Sequence, residues 1–276
     1  MPAIKHTTIL EPNRFTTSIR QTSEFLRALP NKEGFSELAP KTRHARIQDA
    51  IAKGAIERAN QLEQDHGEYN LDANLYRLIG SLDSFYRDSQ TLDQLRQQYG
   101  TSRYMPPKEK QEFYDSKDSV TDFNHIIREV INAGASKFDF DSLLMFMTRM
   151  QVASGNRENL DEFRTQTRQA VIGMRNEVSF EQVLIANGIE YTLGTREQDA
   201  EGGDIIMEEV PLDLKASRIA AEQAQEKARR AGRNPNRIIW SHISFKDYRG
   251  ELILPYELNS KVFAEVKPDL DKALHS

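Results

Sequence analysis

The chain of 276 residues contains no cysteine, which excludes disulfide bonds, thiolate zinc sites and a cysteine nucleophile. It also lacks any run that approaches the ~20 apolar residues of a membrane-spanning helix. The nucleotide-binding pattern GxxxxGK(S/T) is absent as well, so no nucleotide cofactor is expected. These absences predict a cytoplasmic protein without a membrane segment.

Histidine and net positive charge are also scarce. The six histidines are scattered without metal-ligand spacing, and the formal net charge of −5 argues against a general binder of polyanions. The charge is unevenly distributed, however. Residues 215–237 contain seven Lys or Arg and two acids, a local charge of +5, so this segment is a candidate for contacts with phosphates.

The first half of the chain is predicted to be helical, because apolar residues recur three and four positions apart. The predicted helices cover residues 41–64, 71–88, 119–134, 139–155 and 160 to about 173. Alternation of β-branched residues is scarce before residue 185. We therefore predict an all-α domain over residues 1–165.

The rest of the chain, residues 166–276, has the pattern of an α/β domain. Short segments bounded by Gly, Pro and Asn predict strands at 188–195, 202–208, 210–217 and 236–244, and 251–258 is a candidate fifth strand. A predicted helix at 218–232 separates the third strand from the fourth and ends at Gly232. A helix between two strands predicts a right-handed crossover and a parallel strand pair.

The segment GGDIIMEEVPLDLKAS, residues 202–217, combines two acids and a lysine in a predicted hairpin. Side chains alternate between the faces of a strand, so Asp213 and Lys215 share one face while the leucines beside them face the other. A tight turn at the Glu-Glu dipeptide would bring Asp204 level with Asp213. Two carboxylates at one level form a hard-oxygen site that suits Mg²⁺, and a neighbouring lysine can orient or deprotonate a water.

An Asp-x-Lys sequence on a strand is by itself usually a solvated surface. Here it follows GGD at a spacing of nine residues from Asp204 to Asp213, and a basic helix comes next. This combination, in the predicted order of elements, favours a catalytic site over a solvated strand face.

The arrangement resembles the PD-(D/E)xK nuclease superfamily over about residues 174–245. The core motif of that family is an Asp at the start of one strand and an acid-x-Lys on the next. This chain departs from the pattern at Gly203, which stands where the motif has Pro. The resemblance implies an α/β restriction-endonuclease-like core, a mixed sheet flanked by helices, behind the all-α N-terminal domain.

The resemblance also implies roles for the site residues. Asp204 and Asp213 would hold one or two Mg²⁺ ions, which Mn²⁺ can replace, with the backbone carbonyl of Leu214 as a further ligand. Lys215 would position or activate the attacking water.

The family core opens with a helix that carries a further acid, and residues 174–192 are similar to that helix. Glu177 fits the family spacing and would orient water or support a second metal ion. Glu181 lies four residues later on the same helical face and is the alternative.

The helix that follows the lysine strand packs beside the site in this family, which implies contacts with DNA. The residues expected to make them are Ser217, Arg218, Gln223, Lys227, Arg229, Arg230 and Arg233. A solvated helix whose arginines pair with Glu222 and Glu226 is the alternative interpretation.

The implied activity is that of a metal-dependent deoxyribonuclease, an endonuclease that hydrolyses phosphodiester bonds of double-stranded DNA. A type II restriction endonuclease of a restriction-modification system, acting as a homodimer at a specific sequence, is the subclass we expect. The alternatives are a repair or recombination nuclease, an RNase effector of the same fold, and a non-catalytic nucleic-acid-binding protein that retains the fold.

Overall fold

The structure is a computed structural model that describes Glu24 and residues 40–66, 71–134, 138–154, 156–157, 159–195 and 203–276. Over these residues the chain is mostly helical, with a small mixed sheet flanked by helices. It divides into two compact units, Met1–Arg168 and Gln169–Ser276. Residue 202, the predicted first residue of the second strand, lies outside the described residues.

The first unit is built from long helices. They are α1 (Pro40–His66), α2 (Leu71–Tyr99), α3 (Pro107–Gly134), α4 (Phe140–Ala153) and the first part of α5 (Leu160–Ala186). Helix α2 packs against both α1 and α3, and Phe85 stacks on Phe123 with ring centroids 3.8 Å apart. Among the described residues, no helix is both long and apolar enough to cross a bilayer.

The predicted start of the third helix is wrong. Helix α3 begins at Pro107 rather than near residue 119, because proline is well suited to the first turn of a helix. Residues 107–118 are mostly polar and therefore give no apolar periodicity to detect. In the same way, the helix predicted at 160–173 and the helix predicted from residue 174, which runs into a glycine and the first strand, form the single helix α5 (Leu160–Ala186).

The second unit contains the end of α5 and the sheet. Its further elements are β1 (Thr192–Leu193), β2 (Ile205–Met207), β3 (Val210–Lys215), α6 (Arg218–Arg230), β4 (Ile238–Trp240) and α7 (Asn259–Leu274). The strands lie in the order β1-β2-β3-β4, with the first two pairs antiparallel and β3–β4 parallel. The parallel pair predicted around the crossover helix is therefore confirmed.

The two faces of the sheet are covered by different helices. Leu212, Leu214 and Ile239 belong to a buried core to which α5 and α7 also contribute. Ile238 faces the opposite side, where α6 packs against β3 and β4. There Gln225 fixes the helix to the sheet, because its Nε2 donates a hydrogen bond to the Ile238 carbonyl at 2.9 Å.

A two-residue turn joins β2 to β3. Glu208 and Glu209 have φ of 47° and 65°, and the flanking residues Met207 and Val210 are paired. Positive φ at both central positions is the geometry of a type I′ turn, whose twist matches that of the strands. The turn predicted at the Glu-Glu dipeptide is confirmed.

The candidate fifth strand at 251–258 is wrong. Leu252 and Leu254 are buried, as the alternation predicts, but the Leu254 amide donates to Ser179 Oγ of α5 at 2.9 Å instead of to a strand. The segment then forms a 3-10 helix, Tyr256–Leu258, that leads into α7. Alternation reports burial of every second side chain, whereas a strand also needs a hydrogen-bonding partner along its backbone.

Replacing Glu208-Glu209 by Asn-Gly should raise the free energy of unfolding by about 1–2 kcal/mol, because left-handed backbone costs roughly this much per ordinary residue. Urea denaturation measures the difference. The matched control is Ala-Ala, which removes the same two charges but keeps the conformational cost. An Asn-Gly variant no more stable than the Ala-Ala variant would contradict the turn geometry.

Candidate active site

Strand pairing places Asp204 beside Asp213. Ile205 pairs with Leu212, so the next residues outward on each strand lie level with one another. The Asp204 amide donates to the Leu212 carbonyl at 2.9 Å, and Asp204 Oδ2 accepts a hydrogen bond from the Leu214 amide at 2.7 Å. The hydrogen bond from the Leu214 amide therefore fixes the carboxylate of Asp204 against β3.

Asp213 and Lys215 share the face of β3 opposite the core, and they form an ion pair between Oδ1 and Nζ. The same Nζ donates to the Leu214 carbonyl at 3.2 Å. The side chains are 20% and 30% exposed, so they are shielded yet reachable by a substrate. One carboxylate oxygen and one carbonyl oxygen thus converge on a single cation.

Glu177 of α5 acts on Asp204 electrostatically. Burial raises the pKa of the Asp204 carboxyl well above its usual range, and the negative charges of Glu177 and Asp213 raise it further. Lys215 and the hydrogen bond from the Leu214 amide lower this pKa and only partly offset those effects. Three acids and one lysine therefore form a single electrostatic group.

The two glutamates that the sequence leaves as alternatives lie in different surroundings. Glu181 accepts a hydrogen bond from the Tyr191 hydroxyl at 3.2 Å, one helical turn after Glu177. Glu177 is the one whose charge contributes to the pKa of Asp204. Glu177 thus acts on Asp204 through its charge, whereas Glu181 has a hydrogen-bond partner in Tyr191, just before β1.

The oxygen atoms of this group suit Mg²⁺. Over the described residues, no three acidic or histidine side chains are already arranged as a metal cage. Mg²⁺ needs no such cage, because it commonly binds one or two carboxylates and keeps several waters. Asp204, Asp213 and the Leu214 carbonyl supply such a set, and a bound cation would relieve the repulsion that raises the pKa of Asp204.

The cationic helix α6 begins directly after the site. Ser217 is its N-cap, with Oγ accepting from the Ala220 amide at 3.2 Å. This bond uses an acceptor position of the hydroxyl and leaves its proton for another partner. Ser217 therefore has a structural role whether or not it contacts DNA.

Several of the predicted DNA-contacting arginines are paired along the helix. Arg218 Nε lies 2.8 Å from Glu222, and Arg229 and Arg230 lie 3.1 and 3.0 Å from Glu226, whose pKa they lower. Such exposed pairs stabilise a helix only weakly, because water screens the charges. The ion pairs expected of a solvated helix are therefore present. They are weak enough for a phosphate to displace the glutamates.

The other predicted contacts on this helix and after it, Gln223, Lys227 and Arg233, are exposed. These side chains can therefore be reached by a ligand on the α6 side of the sheet, the face from which Asp213 and Lys215 also project.

Sequence reasoning missed two residues next to the site, Trp240 and His242. Trp240 pairs with Lys215 across the parallel strands, and its ring stacks on that of His242 with centroids 4.0 Å apart. Part of this arrangement could have been predicted from sequence, because a parallel alignment of β3 and β4 puts some residue of β4 level with Lys215. The register that selects Trp240 depends on the length of the turn before β4, which has no signature in the sequence.

Comparison with known proteins finds no match for this chain among family models, curated proteins or solved structures. A functional assignment therefore rests on the residues of the site and their geometry.

Asp204→Asn should stabilise the metal-free protein at neutral pH. The folded-state pKa is raised, so the wild-type loses stability as pH rises from the unfolded value of about 3.9 through the folded value. Asparagine avoids this cost, and its oxygen can still accept from the Leu214 amide. Urea denaturation in EDTA between about pH 5 and 8 should show the advantage of the variant growing with pH.

Glu190→Gln, a substitution at an exposed acid before β1, is the control for the loss of one negative charge. A variant Asp204→Asn that is less stable than wild-type at neutral pH, or equally stable across this range, would contradict the electrostatic description of the site.

Proposed function

We propose that this chain is a metal-dependent endonuclease that hydrolyses phosphodiester bonds of DNA. The observation that carries the proposal is that Asp204 and Asp213 lie level on two paired strands, with Lys215 two residues further along β3 in an ion pair with Asp213 and with the charge of Glu177 acting on Asp204. The order of helix, hairpin, crossover helix and parallel strand supports a restriction-endonuclease-like core and a PD-(D/E)xK site.

In this proposal Asp204, Asp213 and the Leu214 carbonyl would hold Mg²⁺, or Mn²⁺ in its place. When bound, the ion neutralises charge on the phosphate and lowers the pKa of a water. The strand pairing keeps both carboxylates level, and the hydrogen bond from the Leu214 amide holds the orientation of Asp204.

Lys215 orients the attacking water and places positive charge where negative charge develops on the phosphate. Asp213 holds the Lys215 ammonium in place through their ion pair, so the amine is positioned before the substrate arrives. Glu177 can accept a hydrogen bond from a water on the helix side of the site. These residues together would support in-line attack on the phosphorus.

The cations of α6 and the segment after it would position the DNA backbone. They lie on the face of the sheet from which Asp213 and Lys215 project, and contacts with phosphates give affinity and orientation without reading sequence. Ser217, Arg218, Lys227 and Arg233 are the proposed contacts. Gln223, Arg229 and Arg230 complete the set.

Within this class we favour a type II restriction endonuclease that cuts duplex DNA as a homodimer, since two sites are needed for two strands. Cleavage assays with Mg²⁺ on plasmid duplex, branched DNA and RNA separate the candidates. Discrete fragments from the plasmid would support a restriction enzyme, whereas cleavage confined to branched DNA or to RNA would support a repair nuclease or an RNase. Binding without cleavage of all three would contradict the nuclease assignment.

Asp213→Asn and Lys215→Met should each lower the cleavage rate by roughly 10²–10³-fold, the usual effect of removing one group that stabilises developing charge. Initial rates on plasmid DNA in Mg²⁺ measure this effect. Glu190→Gln, which removes an acid outside the site, should cleave at close to the wild-type rate. Wild-type rates in both site variants would contradict the proposed mechanism.

Lys227→Ala and Arg233→Ala should each weaken DNA binding and reduce the slope of log K against log salt concentration by about 1. Fluorescence anisotropy of labelled duplex DNA over a range of salt concentrations measures the slope. Lys272→Ala, at an exposed lysine that is not among the proposed DNA contacts, is the matched control. An equal slope in all three variants and the wild-type would exclude α6 from the DNA contact.

A further inference from the structure

Trp240 is the last residue of β4 and stands directly opposite Lys215 in the parallel pair. Opposed residues of neighbouring strands project from the same face, with the strands about 5 Å apart. Ile239, one residue earlier, faces the core and is 1% exposed. Trp240 therefore lies beside Lys215 on β4, the edge strand of the described sheet, and its side chain is partly exposed.

His242 fixes the indole in place. The two rings stack with an interplanar angle of 28°, and His242 has φ of 57°, a backbone conformation that residues other than glycine rarely adopt. One carboxylate of α7 holds the imidazole, because Asp269 Oδ2 lies within hydrogen-bond distance of His242 Nε2, at 3.1 Å. Such a conformation persists where its surroundings enforce it, so the contact of His242 with Asp269 orients the ring that stacks on Trp240.

A partly exposed indole beside a cationic surface has the chemistry of a site for a nucleobase. Proteins that bind single strands combine a positively charged groove with aromatic side chains on which bases stack. A base inside an intact duplex is already stacked on both faces, so it can reach such a ring only by leaving the helix. The surface beside Lys215 thus fits an unstacked base better than it fits intact duplex.

We propose that Trp240 stacks on the base of a nucleotide adjoining the scissile phosphate, so that the strand occupies the site with this base out of the helical stack. The inference rests on the proposed nuclease function and specifies the form of its substrate. Duplex with a mismatch at this position binds more tightly than perfect duplex, because unpairing the base then costs less.

Trp240 is the chain's single tryptophan, so its fluorescence reports on this position alone. The experiment titrates full-length Asp213→Asn protein in EDTA with a single-stranded oligonucleotide, then with a series in which each base in turn is removed to leave an abasic site. Stacking quenches the fluorescence saturably. One abasic position abolishes the quench and weakens binding roughly 5- to 100-fold, the range expected for one stacked base.

Two variants test the residue itself. Trp240→Leu raises KM for cleavage of duplex DNA with a smaller change in kcat, and Trp240→Phe restores much of the lost affinity because it keeps an aromatic ring. If Trp240 had only a structural role, Trp240→Leu would instead lower the melting temperature and would not affect KM more than kcat. Tyr256→Leu, at an aromatic residue 75% exposed before α7, is the control for loss of a surface ring.

Two results would overturn the stacking proposal: binding with unchanged fluorescence, or equal affinity throughout the abasic series. If wild-type protein nevertheless cleaves DNA, the nuclease assignment survives and only the role of Trp240 fails. If no DNA or RNA is cleaved in Mg²⁺ or Mn²⁺ but the quench is observed, the stacking site stands and the nuclease assignment fails.

Discussion

The register between β2 and β3 is the constraint on which the candidate site depends. Side chains alternate along a strand, so a slip of one residue would turn Asp213 and Lys215 toward the core and expose the leucines between and beside them. The two-residue turn and the hydrogen bond from the Leu214 amide to Asp204 both hold this register. The same pairing that buries the core face therefore brings the acids and the lysine together on the other face.

The ionised carboxylate of Asp204 is unfavourable in this site, and other contacts of the fold compensate for the lost stability. Asp204 is partly buried and is acted on by the charges of two other acids, with Lys215 as the compensating cation, so its ionised form is disfavoured. The apolar contacts of the sheet with α5 and α7 hold the strands in place despite this repulsion. Such an arrangement is reasonable where a bound cation supplies further positive charge, and a protein selected only for stability would gain by replacing Asp204. Function and stability thus favour different residues at this position.

Much of the second unit could be predicted from sequence because its signals are local. The Glu-Glu turn, the alternation around Asp213 and the crossover helix ending at Gly232 each depend on a few neighbouring residues. The failures concern longer-range relations: residues 251–258 alternate but have no strand partner within the described sheet, and α7 was not predicted at all. The Trp240–His242 stack was missed for the same reason, since it depends on the register of β4 and on contacts from α7.

The central claim is that Asp204 and Asp213 share a divalent cation. Calorimetric titration of the wild-type protein with Mn²⁺, compared with the double variant Asp204→Asn/Asp213→Asn, tests it most directly. The account predicts saturable binding to the wild-type protein that the double variant loses while remaining folded by circular dichroism. Equal Mn²⁺ binding to both proteins would contradict it, because the ion would then occupy other ligands.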